Sequence, residues 1–229
     1  MLIAIEGLDQ SGKETQAQLL RDRLRSGGAR SRVVSFPDYG TSIGEEIARA
    51  LQGERDYDPE VMQLLYVANR YERKSDIERW RDAGLVLIFD RYAASTVAYG
   101  EAQGLDASWL TALQQFLPQP ELTILLDIAP ETAVERKATG RDRYEQDLAL
   151  LGRVRDSYLG QANHAGWVRV DGEQPKAVVA EEVILGRETI TSTDVDTRRY
   201  LPLWPWAIGM CLLILMIEWW IYNRKIGSA

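Results

Sequence analysis

Residues 7–16 read GLDQSGKETQ and follow the apolar run LIAIE. Gly7 and Gly12 stand at the spacing of a phosphate-binding loop, and Lys13 follows the second glycine. In such a loop, backbone amides and the N-terminus of the helix it opens surround an anion. The lysine adds a point charge within reach of the β- and γ-phosphates of a nucleotide. The candidate nucleotide-binding residues are therefore Gly7, Leu8, Asp9, Gln10, Ser11, Gly12, Lys13, Glu14 and Thr15. Glu14 departs from the pattern, because a serine or threonine normally stands there to help hold magnesium. Its carboxylate suits the helix dipole but faces the same ground as the nucleotide phosphates. Turned towards solvent, it leaves Thr15 and nearby acidic residues to position the ion.

A loop of this kind needs a strand before it and a helix after it. The chain alternates the two. Strands are expected at LIAIE, RVVSF, LVLIFD, LTILLD and WVRVDG, which are short, rich in β-branched residues and bounded by turn signals. Helices are expected at Lys13 to Arg25, Pro59 to Asp82, Ala107 to Leu117, Pro130 to Lys137, Gln146 to Asn163 and Pro175 to Leu185. This alternation implies an α/β fold with a doubly wound, mainly parallel sheet of about five strands, helices on both faces and ligands at the carboxyl ends of the strands.

The bulk numbers narrow the function. A chain of 229 residues has room for one full core, and its 27 basic against 34 acidic residues give a net charge of -7. That balance argues against general nucleic-acid binding. The lone cysteine, Cys211, has no internal disulfide partner, and the lone histidine, His164, excludes a histidine-rich metal site. The chain therefore reads as a protein of a reducing compartment, and MLIAIEGLD, with no basic start or cleavage site, is not expected to be a secretory signal.

Composition changes at the far end. Residues 201–222, LPLWPWAIGMCLLILMIEWWIY, carry Glu218 as their only charge, with tryptophans near both ends. About 20 apolar residues span a bilayer, and aromatic residues favour its interfaces. A buried C-terminal helix is the alternative, but such a helix should show a polar face. The expected organisation is a domain at 1–186, a polar linker at 187–200, a transmembrane helix at 201–222 and a short polar tail at 223–229. Arg198 and Arg199 on one flank balance Arg224 and Lys225 on the other, so flanking charge gives no orientation.

Downstream of the loop the chain reads FPDYGTSIGEEI, LLYVANRYE, FDRYAASTVAYGEAQGLD and LLDIAPETAVERKATGRDRYE. Together with GLDQSGKETQ, in this order and spacing from Met1 to about Leu185, these motifs resemble the thymidylate kinase family. The resemblance implies a P-loop kinase fold and ATP-dependent phosphorylation of dTMP to dTDP, with Mg²⁺ required. It also implies a homodimer, and the need for ATP places the kinase domain in the cytoplasm. The family's loop is closer to G-x-D-x-x-G-K-x-T, so Glu14 falls at a tolerated position and Thr15 is the expected threonine.

The resemblance also assigns expected roles. Lys13, Asp9 and Arg91 form the catalytic set, with Asp9 and Thr15 near the magnesium and Arg91 on the acceptor monophosphate; the other reading of Arg91 is a surface partner of Asp90. Phe36, Pro37 and Tyr39 form the acceptor wall. Tyr66 stacks on the base, Arg70, Ser95 and Thr96 read it, and Tyr99 disfavours a ribose 2′-hydroxyl by bulk. With Gln10 in the loop where some members carry an arginine, the cation for the transition state falls to a mobile lid, RKATGRDRYE. Arg141 and then Arg143 are its candidates, beside Arg136, while Asp142 and Glu145 order the lid or touch the acceptor. Two other readings stay open: a kinase for another nucleoside monophosphate, and a membrane-tethered nucleotide sensor without turnover.

Overall fold

The structure is a computed structural model, and it describes residues 1–136 and 147–184. Five parallel strands form one sheet in the order β2-β3-β1-β4-β5. They are β1 (Leu2–Glu6), β2 (Ser31–Ser35), β3 (Val86–Asp90), β4 (Leu122–Asp127) and β5 (Trp167–Asp171). The helices are α1 (Lys13–Ser26), α2 (Ser42–Leu51), α3 (Pro59–Glu72), α4 (Lys74–Asp82), α5 (Ala93–Ala102), α6 (Ala107–Ala112), α7 (Pro130–Arg136) and α8 (Leu148–Gln161). A further helical run covers 176–184. From β1 the chain goes to the β2 edge, returns to β3, and then crosses to the far side for β4. The order therefore reverses around β1, and the carboxyl ends of β1 and β3 border the crevice where such sheets bind ligands.

Strand alternation assigns the layers. Ile3, Ile5, Ile88, Leu122, Ile124, Leu126 and Val170 face Ala17, Leu20 and Leu24 of α1, with Val179 and Val183 in the same cluster. On the other face, Leu8, Leu125 and Ile128 pack with Ala98 and Ala102 of α5 and Leu151, Val154 and Tyr158 of α8. Leu2, Ala4, Leu87 and Phe89 meet Tyr92 and Ile77 of α4. Glu6 ends β1 in register with the second face and is fully buried there.

The elements differ from the sequence expectation at four points. The stretch expected as one helix over 59–82 breaks at Arg73, which separates α3 from α4. The helix expected over 107–117 ends at Ala112 and continues as turns. Helices α2 and α5 were not anticipated. In α2, Thr41 accepts the Gly44 amide at 3.0 Å and starts a helix whose apolar positions are Ile43, Ile47 and Ala50. Among the described residues no helix is long and apolar enough to cross a membrane. The span expected at 201–222 lies outside them, as do the linker and tail.

Gly44 brings α2 against the loop after β2. A Cβ there would stand 1.9 Å from the Asp38 carbonyl oxygen. Gly44→Ala is therefore expected to destabilise the protein by about 1–3 kcal/mol, read as a lower midpoint in urea unfolding with an unchanged slope.

Candidate active site

β1 leaves the sheet at Gly7, where φ is 141° and a Cβ would lie 2.4 Å from the Leu126 carbonyl oxygen. Only glycine passes this close to β4. At the other end of the loop Gly12, with φ at 93°, opens α1 with no side chain capping it. The amides of the first turn are thus left for an anion. Lys13 is 6 % exposed, and its Nζ donates to the Leu8 carbonyl oxygen at 2.6 Å. Burial and the Arg91 cation lower its pKa from 10.5 to about 8, while Asp9, Asp90 and Glu6 pull the other way. Glu14 points to solvent and accepts a hydrogen bond from Gln18 Nε2 at 3.2 Å. Around Lys13 lies a recess of about 570 Å³, lined also by Glu14, Thr15, Asp90 and the residues it shares with a second cavity.

Arg91 follows β3 with φ at 63°, a left-handed conformation rare outside glycine. Its ion pair forms with Asp9 across the loop, Nη2 to Oδ1 at 2.6 Å, not with neighbouring Asp90. Tyr99 Oη donates to the other Asp9 oxygen at 3.0 Å. Burial would raise the Asp9 carboxyl, but Arg91 and Lys13 hold it well below the usual carboxylate range. Burial disfavours the Arg91 cation, and Asp9 more than restores it, raising its pKa. At Asp90 burial prevails over Lys13 and Arg91, and its carboxyl is raised.

Beneath Arg91 lies a buried network. Glu6 accepts hydrogen bonds from the Tyr92 amide at 2.8 Å, Ser95 Oγ at 2.6 Å and Tyr158 Oη at 3.1 Å. Both hydroxyls in turn stand opposite Arg91 Nη1, at 3.3 Å from Ser95 and 3.4 Å from Tyr158. A fully buried carboxylate thereby orients two hydroxyls whose lone pairs receive the guanidinium.

The second cavity, about 100 Å³, is lined by Asp9, Phe36, Pro37, Tyr39, Leu51, Gln63, Tyr66, Arg70, Arg91, Ser95, Thr96 and Tyr99. Arg70 is 3 % exposed; its Nη1 donates to Thr96 Oγ1 at 2.7 Å and Gln114 Oε1 at 3.3 Å. Its guanidinium lies 5.9 Å from the Phe36 ring centroid, and burial lowers its pKa. The loop carrying Phe36, Pro37 and Tyr39 is fastened by Asn69, which accepts the Asp38 amide at 2.7 Å and donates to Thr41 Oγ1 at 2.9 Å. Arg73 adds an ion pair to Asp38 at 2.6 Å. Asp9, Phe36, Pro37, Tyr39 and Arg91 line both recesses.

Residues 5–183 match the family model for thymidylate kinase. The chain belongs to the thymidylate kinase family. It is 41% identical over 145 residues to the thymidylate kinase of Schizosaccharomyces pombe, covering 63% of this chain and 69% of that protein. It is 32% identical over 197 residues to the human thymidylate kinase, covering 84% of this chain and 93% of that one. The solved Candida albicans thymidylate kinase superposes with a TM-score of 0.68 at 29% identity, covering 84% of this chain and 91% of that chain.

Of the positions expected from sequence, Asp9, Gln10, Gly12, Lys13, Glu14, Thr15, Phe36, Pro37, Tyr39, Tyr66, Arg70, Arg91, Ser95, Thr96 and Tyr99 line these two recesses, whereas Gly7, Leu8 and Ser11 line neither, Leu8 packs into the core, and the Ser95 hydroxyl is committed to Glu6 and Arg91. Arg136, expected in the lid, instead donates to the Gln10 carbonyl oxygen at 3.2 Å and the Gly172 carbonyl oxygen at 3.1 Å, joining the phosphate loop to the turn after β5. Arg141, Asp142, Arg143 and Glu145 lie outside the described residues. Glu6, Asn69, Gln63 and Tyr158 also belong to the site and are not singled out by the sequence motifs. Glu6 had a visible signal, a carboxylate closing an otherwise apolar strand; Tyr158 had none, because its partners come from β1 and α5.

The Lys13 pKa has a measurable consequence. Because the folded-state value lies below the unfolded one, the folded protein binds fewer protons between about pH 8 and pH 10.5. Stability attributable to this group therefore rises with pH across that window, by on the order of 3 kcal/mol in all. The difference in urea-unfolding free energy between Lys13→Met and the parent protein should shrink in favour of the parent over that range; a difference that does not change with pH would contradict the buried, proton-releasing lysine.

Proposed function

We propose that the protein transfers the γ-phosphoryl group of ATP to dTMP, giving dTDP and ADP, with Mg²⁺ as accompanying cation. What carries this reading is the pair of adjoining recesses that share Asp9, Tyr39 and Arg91. A donor above the loop and an acceptor in the deeper cavity would meet at those residues, as in-line transfer between two phosphates requires. The first-turn amides of α1 and Lys13 hold the donor phosphates. Arg91 presents its guanidinium to the acceptor monophosphate, held in direction by Asp9 and by the Glu6 network, and Tyr39 adds a hydroxyl. An acceptor phosphate oxygen attacks the γ-phosphorus while the bond to the β–γ bridging oxygen breaks, so the electron pair leaves on ADP.

The base lies against Tyr66 and the Phe36–Pro37 wall, with Arg70 donating to a pyrimidine carbonyl and Thr96 at the base edge. Ser95 contributes through Arg91. Tyr99 fills the space a ribose 2′-hydroxyl would need. The lid supplies the remaining cation from Arg141, or else Arg143, with Asp142 and Glu145 ordering it; all four lie outside the described residues. For the metal, Asp9 and Thr15 offer the hard oxygen donors that suit Mg²⁺. Among the described residues no three His, Cys, Asp or Glu side chains group as a metal cage, which fits an ion that shares its shell with substrate phosphates and water. When bound it would neutralise phosphate charge.

A coupled ADP-release assay with dTMP, dUMP, dCMP, dGMP and UMP tests the reaction. dTMP should lead in kcat/KM by about tenfold or more, and Lys13→Ala should lose on the order of a hundredfold in turnover with the fold intact. ATP binding with no ADP release from any acceptor would favour the nucleotide-sensor reading instead.

The tail completes the proposal. From its apolar sequence, the stretch 201–222, which lies outside the described residues, is read as a single membrane anchor, with the kinase domain on the cytoplasmic side where ATP is found. The protein acts as a homodimer, and Val61 and Leu64, exposed one turn apart on α3, offer apolar surface for it. Full-length protein should stay with membranes through high salt and alkaline carbonate, while residues 1–186 should be soluble and fully active. Aggregation of the shorter chain would mean that 201–222 packs onto the kinase domain.

A further inference from the structure

Gln63 was not among the expected site residues. It lies on α3, three residues before Tyr66 and seven before Arg70, so the three side chains share one face of the helix. It lines the same cavity as Tyr66, Arg70 and Thr96. It is 1 % exposed, and among the described residues neither its Nε2 nor its Oε1 has a hydrogen-bond partner. Arg70 Nε, on the same wall, is also buried without a partner. Folded proteins seldom leave buried polar atoms unpaired, and three on one cavity wall indicate that the cavity's occupant supplies the partners.

The chemistry of the wall selects the occupant. A carboxamide presents one donor and one acceptor side by side, whereas a guanidinium only donates. The edge of a thymine or uracil ring runs carbonyl, N–H, carbonyl. A cytosine replaces the first carbonyl with an amino group and the N–H with a bare nitrogen. Gln63 alone could turn its amide to suit either edge. Arg70 cannot, because its donors have no use for an amino group. With Arg70 on an exocyclic carbonyl, Oε1 of Gln63 accepts from the ring N–H and Nε2 donates to a carbonyl. We infer that Gln63 is a base-reading residue that, with Arg70, restricts the acceptor to pyrimidines bearing an imide edge. This rests on the proposed dTMP site and goes beyond it by assigning the ring N–H a partner.

The competing account is that Gln63 merely fills space in the core. The two accounts differ for Gln63→Leu, which keeps the bulk and removes both polar atoms. As a base reader, the full-length variant should unfold at the same or higher urea concentration than the parent, since no satisfied bond is lost without substrate. Its KM for dTMP should rise about tenfold with kcat within about threefold, because two hydrogen bonds to bound substrate are lost. Gln63→Glu gives an independent reading. A carboxylate facing Arg70 would occupy its donors and accept from an exocyclic amine, so the dCMP to dTMP ratio of kcat/KM should rise about tenfold or more. This second variant also serves if Gln63→Leu does not fold. Unchanged dTMP KM in Gln63→Leu, or an unchanged ratio in Gln63→Glu, overturns the inference while leaving dTMP phosphorylation by the parent protein standing. If calorimetry shows that the parent does not bind dTMP, both this inference and the proposed reaction fall.

Discussion

Everything at the site depends on keeping two cations, Lys13 and Arg91, together in a largely buried place. Each disfavours the other, and burial disfavours both. Three carboxylates at the ends of β1 and β3 and in the loop between β1 and α1 make this tolerable. Asp9 pairs directly with Arg91, Asp90 lies near Lys13, and Glu6 fixes the hydroxyls beneath Arg91. Breaking such a pair by removing one partner is costly, because the other charge remains buried. The arrangement keeps both cations charge-compensated at the border of the two recesses.

That constraint explains the demands on the neighbouring backbone. Gly7 passes against β4 because β1 must deliver Asp9 to Arg91 within a short loop. Arg91 itself sits in a left-handed conformation at the end of β3, held by the Asp9 pair and by two hydroxyls from α5 and α8. Beside the smaller cavity Asn69 and Arg73 clamp the loop after β2, so that Phe36, Pro37 and Tyr39 hold their place between the two recesses. The scaffold thus spends many of its buried hydrogen bonds on positioning, and among the described residues the unpaired buried atoms of Gln63 and Arg70 sit in the cavity wall.

Much of this was legible before the fold was known. The five strands are apolar runs bounded by turn signals, and LIAIEGLDQSGKET announces a strand, a phosphate loop and a helix in one stretch. The helices that escaped notice have identifiable causes. α5, AASTVAYGEA, contains β-branched residues and a glycine and has almost no charge to mark a solvent face, because both of its sides are packed between α6 and α8. The glycine at position 44 weakens the helical signal of α2, yet it is what lets that helix approach Asp38. In both, tertiary packing overrides local propensity.

The fold class, the phosphate loop and the list of side chains that could serve two phosphates can be read from the chain alone, because they depend on periodicity and on residues close together in it. How those side chains pair is set by the folded arrangement. Arg91 is 82 residues from Asp9 and meets it, not adjacent Asp90, because parallel strands β1 and β3 end side by side and turn their loops towards each other. Glu6 became the anchor of the site because strand alternation put it under α5 and α8, and Tyr158 joined it from 152 residues away. Contacts over such separations follow from strand order and register, which local sequence does not encode.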